Sequence, residues 1–242
     1  MLQSLIFDVD GTLADTERDG HRPAFNAAFH EAGLDWRWDE TLYGELLAVT
    51  GGKERIHYFA ARHRPEFASL PDADARVAAL HEAKTRHYAR LAATGRIPLR
   101  PGVARLLTQA RAAGLRLAIA TTTRLENVAA LLTPALGPQV MDWFEVIGAG
   151  DVVAAKKPAP DIYRWVLQGL GLPATDCLAF EDSAHGLHAA LGAGLTTIVT
   201  PCDYTRGQDF SGAAAVLDSL DGVSLADLRA IARCPAKPGK CQ

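Results

Sequence analysis

Two carboxylates, Asp8 and Asp10, stand one residue apart at the end of the apolar run Leu5-Ile6-Phe7, and Gly11 follows them. Like charges at that spacing repel, so the pair calls either for plain solvation at a turn or for a cation and a chemical purpose. Three later stretches carry matching groups. Thr121, Thr122 and Thr123 close LRLAIA, Lys156 and Lys157 open KKPAPD, and Glu181, Asp182 and Ser183 end CLAF. Asp8, Asp10 and Asp182 do not all ionise cheaply in one cleft without a cation. Oxygen donors with no nearby Cys or His to compete suit a hard cation, and magnesium keeping several waters fits best. Lys157, the threonine hydroxyls and the backbone N–H groups of the Gly11 turn would hold an anion beside that metal. Such a rim around an aspartate points to phosphoryl transfer with the carboxylate as nucleophile. Taken singly, each of these residues reads as well as a helix cap or turn residue.

The elements that must position them follow from the apolar pattern. Short runs without polar alternation occur at 4–7, 115–120, 144–148, 177–180 and 196–199. Helical patterns separate most of them: one opens at Pro101-Gly102, one follows Pro160, and one begins at Ser183. Unalternating runs spaced by helices make a parallel sheet covered on both faces, a doubly wound, Rossmann-like α/β core. In such sheets ligands gather outside the carboxyl ends of the strands, where the chemical residues lie. The segment after Asp15 breaks the rhythm. Helical patterns at 21–32, 40–48, 53–64 and 73–93 fill it, and Trp36 and Trp38 read as packing for a small helical core. The expected organisation is therefore a core of residues 1–14 and 98–242, an all-helical cap at 15–97, and a flexible tail from about 234.

The 242 residues are 48% hydrophobic and 22% charged with a net charge of −3, which offers no basic surface for nucleic acid or an acidic membrane. No stretch approaches the roughly 20 apolar residues of a membrane helix. Asp8 arrives too early for a secretory signal, so a cytoplasmic location is expected. Four cysteines are too few for a disulfide scaffold. Cys177 reads as buried packing and Cys202 as a loop residue. Cys234 and Cys241 are either free thiols or a tail disulfide.

DVDGTLAD resembles motif one of the haloacid dehalogenase-like hydrolases, DxDGTLxD. Thr121 after LAIA is similar to the motif-two Ser/Thr, Lys157 in KPAPD to the motif-three lysine, and EDS to the motif-four acids. All four occur in order between residues 8 and 183. The resemblance implies the fold of that family with an α-helical cap, as in phosphoglycolate phosphatase and β-phosphoglucomutase. It implies that Asp8 attacks phosphorus to form an aspartyl-phosphate, and that Asp10 protonates the leaving oxygen and then deprotonates water. Magnesium would sit on the Asp8 carboxylate, the Asp10 backbone carbonyl and Asp182, with Glu181 either a ligand or a support. Thr121 and Lys157 would hold phosphate oxygens. Lys156 is the competitor, but the position directly before Pro158 fits the motif.

Selectivity must come from the cap. TGGKERI has the composition of a substrate loop: Gly51 and Gly52 admit close approach, and Lys53 and Arg55 bring positive charge. A helix start with solvated charges explains it equally. With Glu17 and His21 after motif one, TTT and AGDVVAAKKP, the pattern resembles the CbbY-type proteins, which dephosphorylate xylulose 1,5-bisphosphate. A substrate with two phosphates would account for a second cationic site of Lys53, Arg55 and Lys84. Thr122, Thr123, Arg124 and Asn127 would line the far side, and Glu17 would bind sugar hydroxyls. A β-phosphoglucomutase-like mutase is the alternative, with His21 one residue out of that register. Phosphoglycolate-type phosphatase activity and a non-catalytic sugar-phosphate sensor also stay open. A cap that opens and closes over its core favours a monomer acting on a small phosphorylated sugar.

Overall fold

The structure is a computed structural model that describes residues 1–49 and 51–233. Thr50 of the glycine-rich loop and both tail cysteines, Cys234 and Cys241, lie outside the described residues. The chain forms two units, one of Met1–Asp15 with the residues from Pro98 onward, the other of Thr16–Ile97.

The first unit is a parallel sheet of six strands with helices on both faces. In chain order it contains β1 (Ser4–Phe7), then, beyond the second unit, α6 (Val103–Ala112), β2 (Arg116–Ala120), α7 (Leu125–Leu136), β3 (Phe144–Gly148), α8 (Asp161–Leu170), β4 (Cys177–Glu181), α9 (Ala184–Gly192), β5 (Thr196–Val199), β6 (Ala215–Val216) and α10 (Leu225–Arg233). The strand order is β3-β2-β1-β4-β5-β6. Every residue of β1 and β4 is buried, which is why those strands lack polar alternation. One face packs Ile6, Ala118 and Ala179 against Ile162, Val166 and Leu170 of α8. Phe7 lies level with Ile119 on one side and Phe180 on the other. That register brings Asp8, Thr121 and Glu181 to one rim. The Asp8 N–H continues the ladder to the Phe180 carbonyl at 3.0 Å, and the Thr121 N–H to Gly148 at 2.9 Å.

The second unit is helical: a π-helical turn at Glu17–His21, then α1 (Arg22–Glu31), α2 (Glu40–Leu46), α3 (Gly52–His63), α4 (Pro65–Ala68) and α5 (Ala73–Ala93). The expected helix at 21–32 thus starts one residue late, after a widened turn. Its core is aromatic. Trp38 is fully buried, with its ring 4.7 Å from Phe25 and 5.4 Å from Phe59, and Trp36 sits 4.7 Å from Phe67. The Asn26 amide both donates to and accepts from the Trp38 backbone at 2.8 Å, fixing the turn between α1 and α2. The Asp39 carboxylate caps α2 by accepting the Leu42 N–H at 2.9 Å.

Candidate active site

In the first unit, three buried carboxylates meet at the ends of β1 and β4. Oxygens of Asp8, Glu181 and Asp182 all lie within 4.8 Å of one another. The loop before α8 delivers Lys157, whose Nζ donates to Asp8 Oδ1 and to Glu181 Oε1, each at 2.6 Å. The fully buried Tyr163, on the inward face of α8, donates its phenol to the same Glu181 oxygen at 2.5 Å. Lys156 points elsewhere, to the Gly150 carbonyl and the Asp151 carboxylate. Thr123 donates its hydroxyl to Asp10 Oδ2, and the Thr121 hydroxyl accepts the Thr123 N–H at 3.2 Å.

Two glycines make room for these acids. Gly11 has φ +82°, a left-handed conformation, and a Cβ there would overlap the Asp182 carboxylate. A Cβ on Gly186, in the first turn of α9, would overlap the Glu181 carboxylate. Charge crowding shows in the acid–base chemistry. Burial pushes the Asp8 carboxyl up to about 7, with Glu181 and Asp10 adding to the rise and Lys157 opposing it. Burial lifts Asp182 well above the usual carboxylate range, and Asp8 and Glu181 add to it. Burial weakens the Lys157 ammonium, but Asp8 and Glu181 outweigh it and hold its proton more tightly than usual. Carboxylates raised by burial first and by one another second make an oxygen donor set that fits a hard divalent cation.

One expectation needs correction. Cys202, in the loop after β5, places its thiol 3.3 Å from Asp182 Oδ2, so a cysteine does stand beside the acid cluster. Burial, first, and the Asp182 charge push that thiol up to about 12, which makes it a donor rather than a ligand competitor at neutral pH. Sequence spacing gave no sign of this neighbour, because β5 supplies it from 20 residues away. Tyr163 was missed too, although a phenol on the stripe Ile162, Val166, Leu170 is a signal of a buried polar partner.

The remaining expected site residues divide by unit. Thr122 and Arg124 are exposed and Asn127 is half-buried on α7. In the helical unit, Tyr43 donates its hydroxyl to Glu17 Oε2 at 2.5 Å. Arg55, expected beside Lys53 and Lys84 as a cation for a second phosphate, is instead engaged within the helical unit. Its guanidinium is buried and donates to the Tyr43 hydroxyl at 3.0 Å, the Leu46 carbonyl at 3.1 Å and the Val49 carbonyl at 3.3 Å. The reason is helical phase: in α3, Arg55 falls on the stripe of Ile56, Phe59 and Ala60. Gly51 and Gly52 begin that helix with Lys53 exposed in its first turn. His21 stacks on Tyr88 with centroids 4.2 Å apart, and its Nδ1 lies 2.9 Å from Lys84 Nζ. Lys84 also covers the Phe25 and Tyr88 rings.

With a doubly wound core, an inserted helical unit and a lysine clamped on paired aspartyl and glutamyl groups, the chain belongs to the haloacid dehalogenase-like hydrolases, whose sequence profile matches residues 2–194. It is a phosphatase of that class. Within the class it is CbbY-like. It is 56% identical over 212 residues to protein CbbY of Rhodobacter capsulatus, covering 88% of this chain and 91% of that one. The crystal structure of CbbY from Rhodobacter sphaeroides in complex with phosphate is similar at a TM-score of 0.79 and 50% identity, over 95% of this chain and all of that one. A mutant of the same protein, in complex with xylulose 1,5-bisphosphate, matches at a TM-score of 0.78 and 50% identity, over 94% of this chain and 99% of that one. Among the described residues, no helix is long and apolar enough to cross a membrane.

Proposed function

We propose that the chain is a magnesium-dependent sugar-phosphate phosphatase that works through an aspartyl-phosphate on Asp8, with xylulose 1,5-bisphosphate as its substrate. The observation that carries this reading is the 2.6 Å contact of Lys157 with Asp8 at the edge of three buried carboxylates. One ammonium there favours the ionised form of a carboxylate that burial alone would neutralise. The bisphosphate complex of a 50% identical protein supports the choice of substrate.

In the first half-reaction an Asp8 oxygen attacks phosphorus, the ester P–O bond breaks, and Asp10 gives its proton to the departing sugar oxygen. In the second, Asp10 takes a proton from water, which attacks the same phosphorus, frees inorganic phosphate and restores Asp8. Thr123 orients Asp10 through its hydroxyl, while Thr121 and Lys157 hold the phosphoryl oxygens. Magnesium, held by the Asp8 and Asp182 carboxylates and the Asp10 carbonyl, would supply neutralisation of the phosphoryl charge. Glu181, turned to Lys157 and Tyr163, fixes the lysine rather than the ion. Glu17, His21, Gly51, Gly52, Lys53 and Lys84, with Thr122, Arg124 and Asn127, select the sugar and its second phosphate. The protein would act as a monomer in the cytoplasm.

A phosphate-release screen of sugar mono- and bisphosphates with magnesium, with β-glucose 1-phosphate followed for isomerisation, tests the reading. Xylulose 1,5-bisphosphate should be hydrolysed fastest, and Asp8→Asn should release no phosphate. Turnover near wild type in Asp8→Asn would sink the mechanism. Isomerisation without release would make the protein a mutase, and a preference for phosphoglycolate would replace the substrate.

A further inference from the structure

Arg100 is a buried residue just after the chain re-enters the first unit, and the catalytic roles above do not use it. Its guanidinium gathers backbone carbonyls from two separate loops. Nη1 donates to the Gly11 carbonyl and, at 2.5 Å, to the Thr200 carbonyl, while Nη2 donates to Pro201 at 2.8 Å. Nε lies 3.5 Å from Asp15 Oδ1, and the Arg100 N–H donates to Leu13 at 2.8 Å. The residue thus binds the turn that follows Asp8 and Asp10 on one side and the loop after β5 on the other.

Both loops press on the acid cluster. Gly11 backs directly onto the Asp182 carboxylate. The Thr200 N–H donates to the Glu181 carbonyl at 2.8 Å, and Cys202, two residues on, donates its thiol to Asp182 Oδ2. Asp182 therefore lies between the Gly11 backbone and the Cys202 thiol, and one guanidinium fork ties together the two loops that carry them. A lysine would bring the charge but not the planar fork that serves two loops at once.

We propose that Arg100 is a positioning residue for the divalent-cation site: by tying the Gly11 turn to the Thr200–Pro201 carbonyls it sets the separation of Asp8 and Asp182. This rests on the magnesium reading above. Groups that orient metal ligands typically cost roughly 10–100-fold in metal affinity when removed, and that is the loss expected for magnesium in Arg100→Ala. Arg100→Lys should recover only part of it. The test measures magnesium binding to phosphate-free protein by titration calorimetry, alongside hydrogen exchange of the segments around Gly11 and Thr200. Leu107→Ala, a truncation in the buried face of α6, serves as a destabilised control that should keep wild-type magnesium affinity.

Magnesium binding within about twofold of wild type in folded Arg100→Lys and Arg100→Ala overturns the proposal. So does an equal loss in the Leu107→Ala control, which would reduce Arg100 to general stability. If Arg100→Ala does not fold, Arg100→Lys carries the measurement. Failure of the wild-type protein to bind magnesium would overturn the cation reading itself. Exchange then decides on Arg100 alone, because unchanged protection of both loops in the variants removes the clamp.

Discussion

Lys157 and Asp8, 149 residues apart in the chain, meet at 2.6 Å with both side chains buried. The strand β1 ends at the carboxylate, and the loop before α8 supplies the ammonium, which also reaches Glu181 at 2.6 Å. A cation shared by two buried acids offsets repulsion that neither acid escapes by solvation. Removing it leaves uncompensated charge, and breaking a buried pair from one side costs about 3–5 kcal/mol.

Lys157→Ala should therefore lower unfolding free energy by about that amount, measured by urea denaturation without magnesium. Its kcat/KM should fall roughly 100- to 1,000-fold, the loss typical of one donor aimed at developing charge. Lys156→Ala, whose ammonium serves Gly150 and the exposed Asp151, is the contrast. Equal losses in the two variants would contradict the geometry.

Tyr163→Phe removes only the hydroxyl that donates to Glu181 Oε1. A buried carboxylate that loses one of its two donors is left short by about 1.5–3 kcal/mol, and the stability of the variant should fall by that amount. Activity should fall less than in Lys157→Ala, because Lys157 keeps its contact with Asp8. An unchanged denaturation midpoint would show that the phenol does not hold Glu181.

The sequence made the rim of the core legible for a physical reason. Strands buried on both faces show as unbroken apolar runs, so the residues just past Phe7, Ala120 and Phe180 stand out as strand ends. Trp36 and Trp38 were equally readable as packing, and both are buried. What stayed hidden depends on contacts across the chain or on helical phase. Cys202 reaches Asp182 only because β5 lies beside β4. Arg55 looks like a surface cation until α3 turns it inward beside Ile56. The hydroxyl of Tyr43 on Glu17 joins residues 26 apart. Helix α7 and strand β6 were unread, the first because Pro134 interrupts its pattern and the second because it spans two residues.

Gly186→Ala sets two effects against each other. Within a helix, alanine is favoured over glycine by about 1 kcal/mol. The added methyl would, however, overlap the Glu181 carboxylate, which is buried and held from the other side by Lys157 and Tyr163. Overpacking of that kind costs about 1–3 kcal/mol. The overlap should win, so the variant should melt lower and lose activity. A higher melting temperature with full activity would show that Glu181 has room to move.

Lys53 and Arg55 separate substrate binding from packing. Lys53 is exposed at the start of α3, whereas Arg55 is buried with three acceptors. Lys53→Ala should leave the melting temperature unchanged and raise KM for a bisphosphate more than for a monophosphate. Arg55→Ala should destabilise the protein by about 1–3 kcal/mol, because the Leu46 and Val49 carbonyls and Tyr43 lose a donor. Equal KM effects of Lys53→Ala on the two substrates would remove it from the second phosphate.

The buried thiols give a pH-dependent readout. Burial, with Asp176 adding to it, pushes Cys177 up to about 11 from an ordinary 9.0, and Cys202 is pushed up to about 12. Only the thiolate reacts with iodoacetamide, so two units at Cys177 slow its alkylation roughly 100-fold near pH 8, before shielding by the core is added. Both native thiols should remain unmodified at pH 8 under conditions that label them within minutes in urea. Raising the pH toward 10 should speed Cys177 nearly tenfold for each unit while the fold holds. Peptide mass spectrometry of the alkylated protein reads each site separately. Rapid labelling of native Cys202 at pH 8 would mean that its thiol is not held as a donor to Asp182.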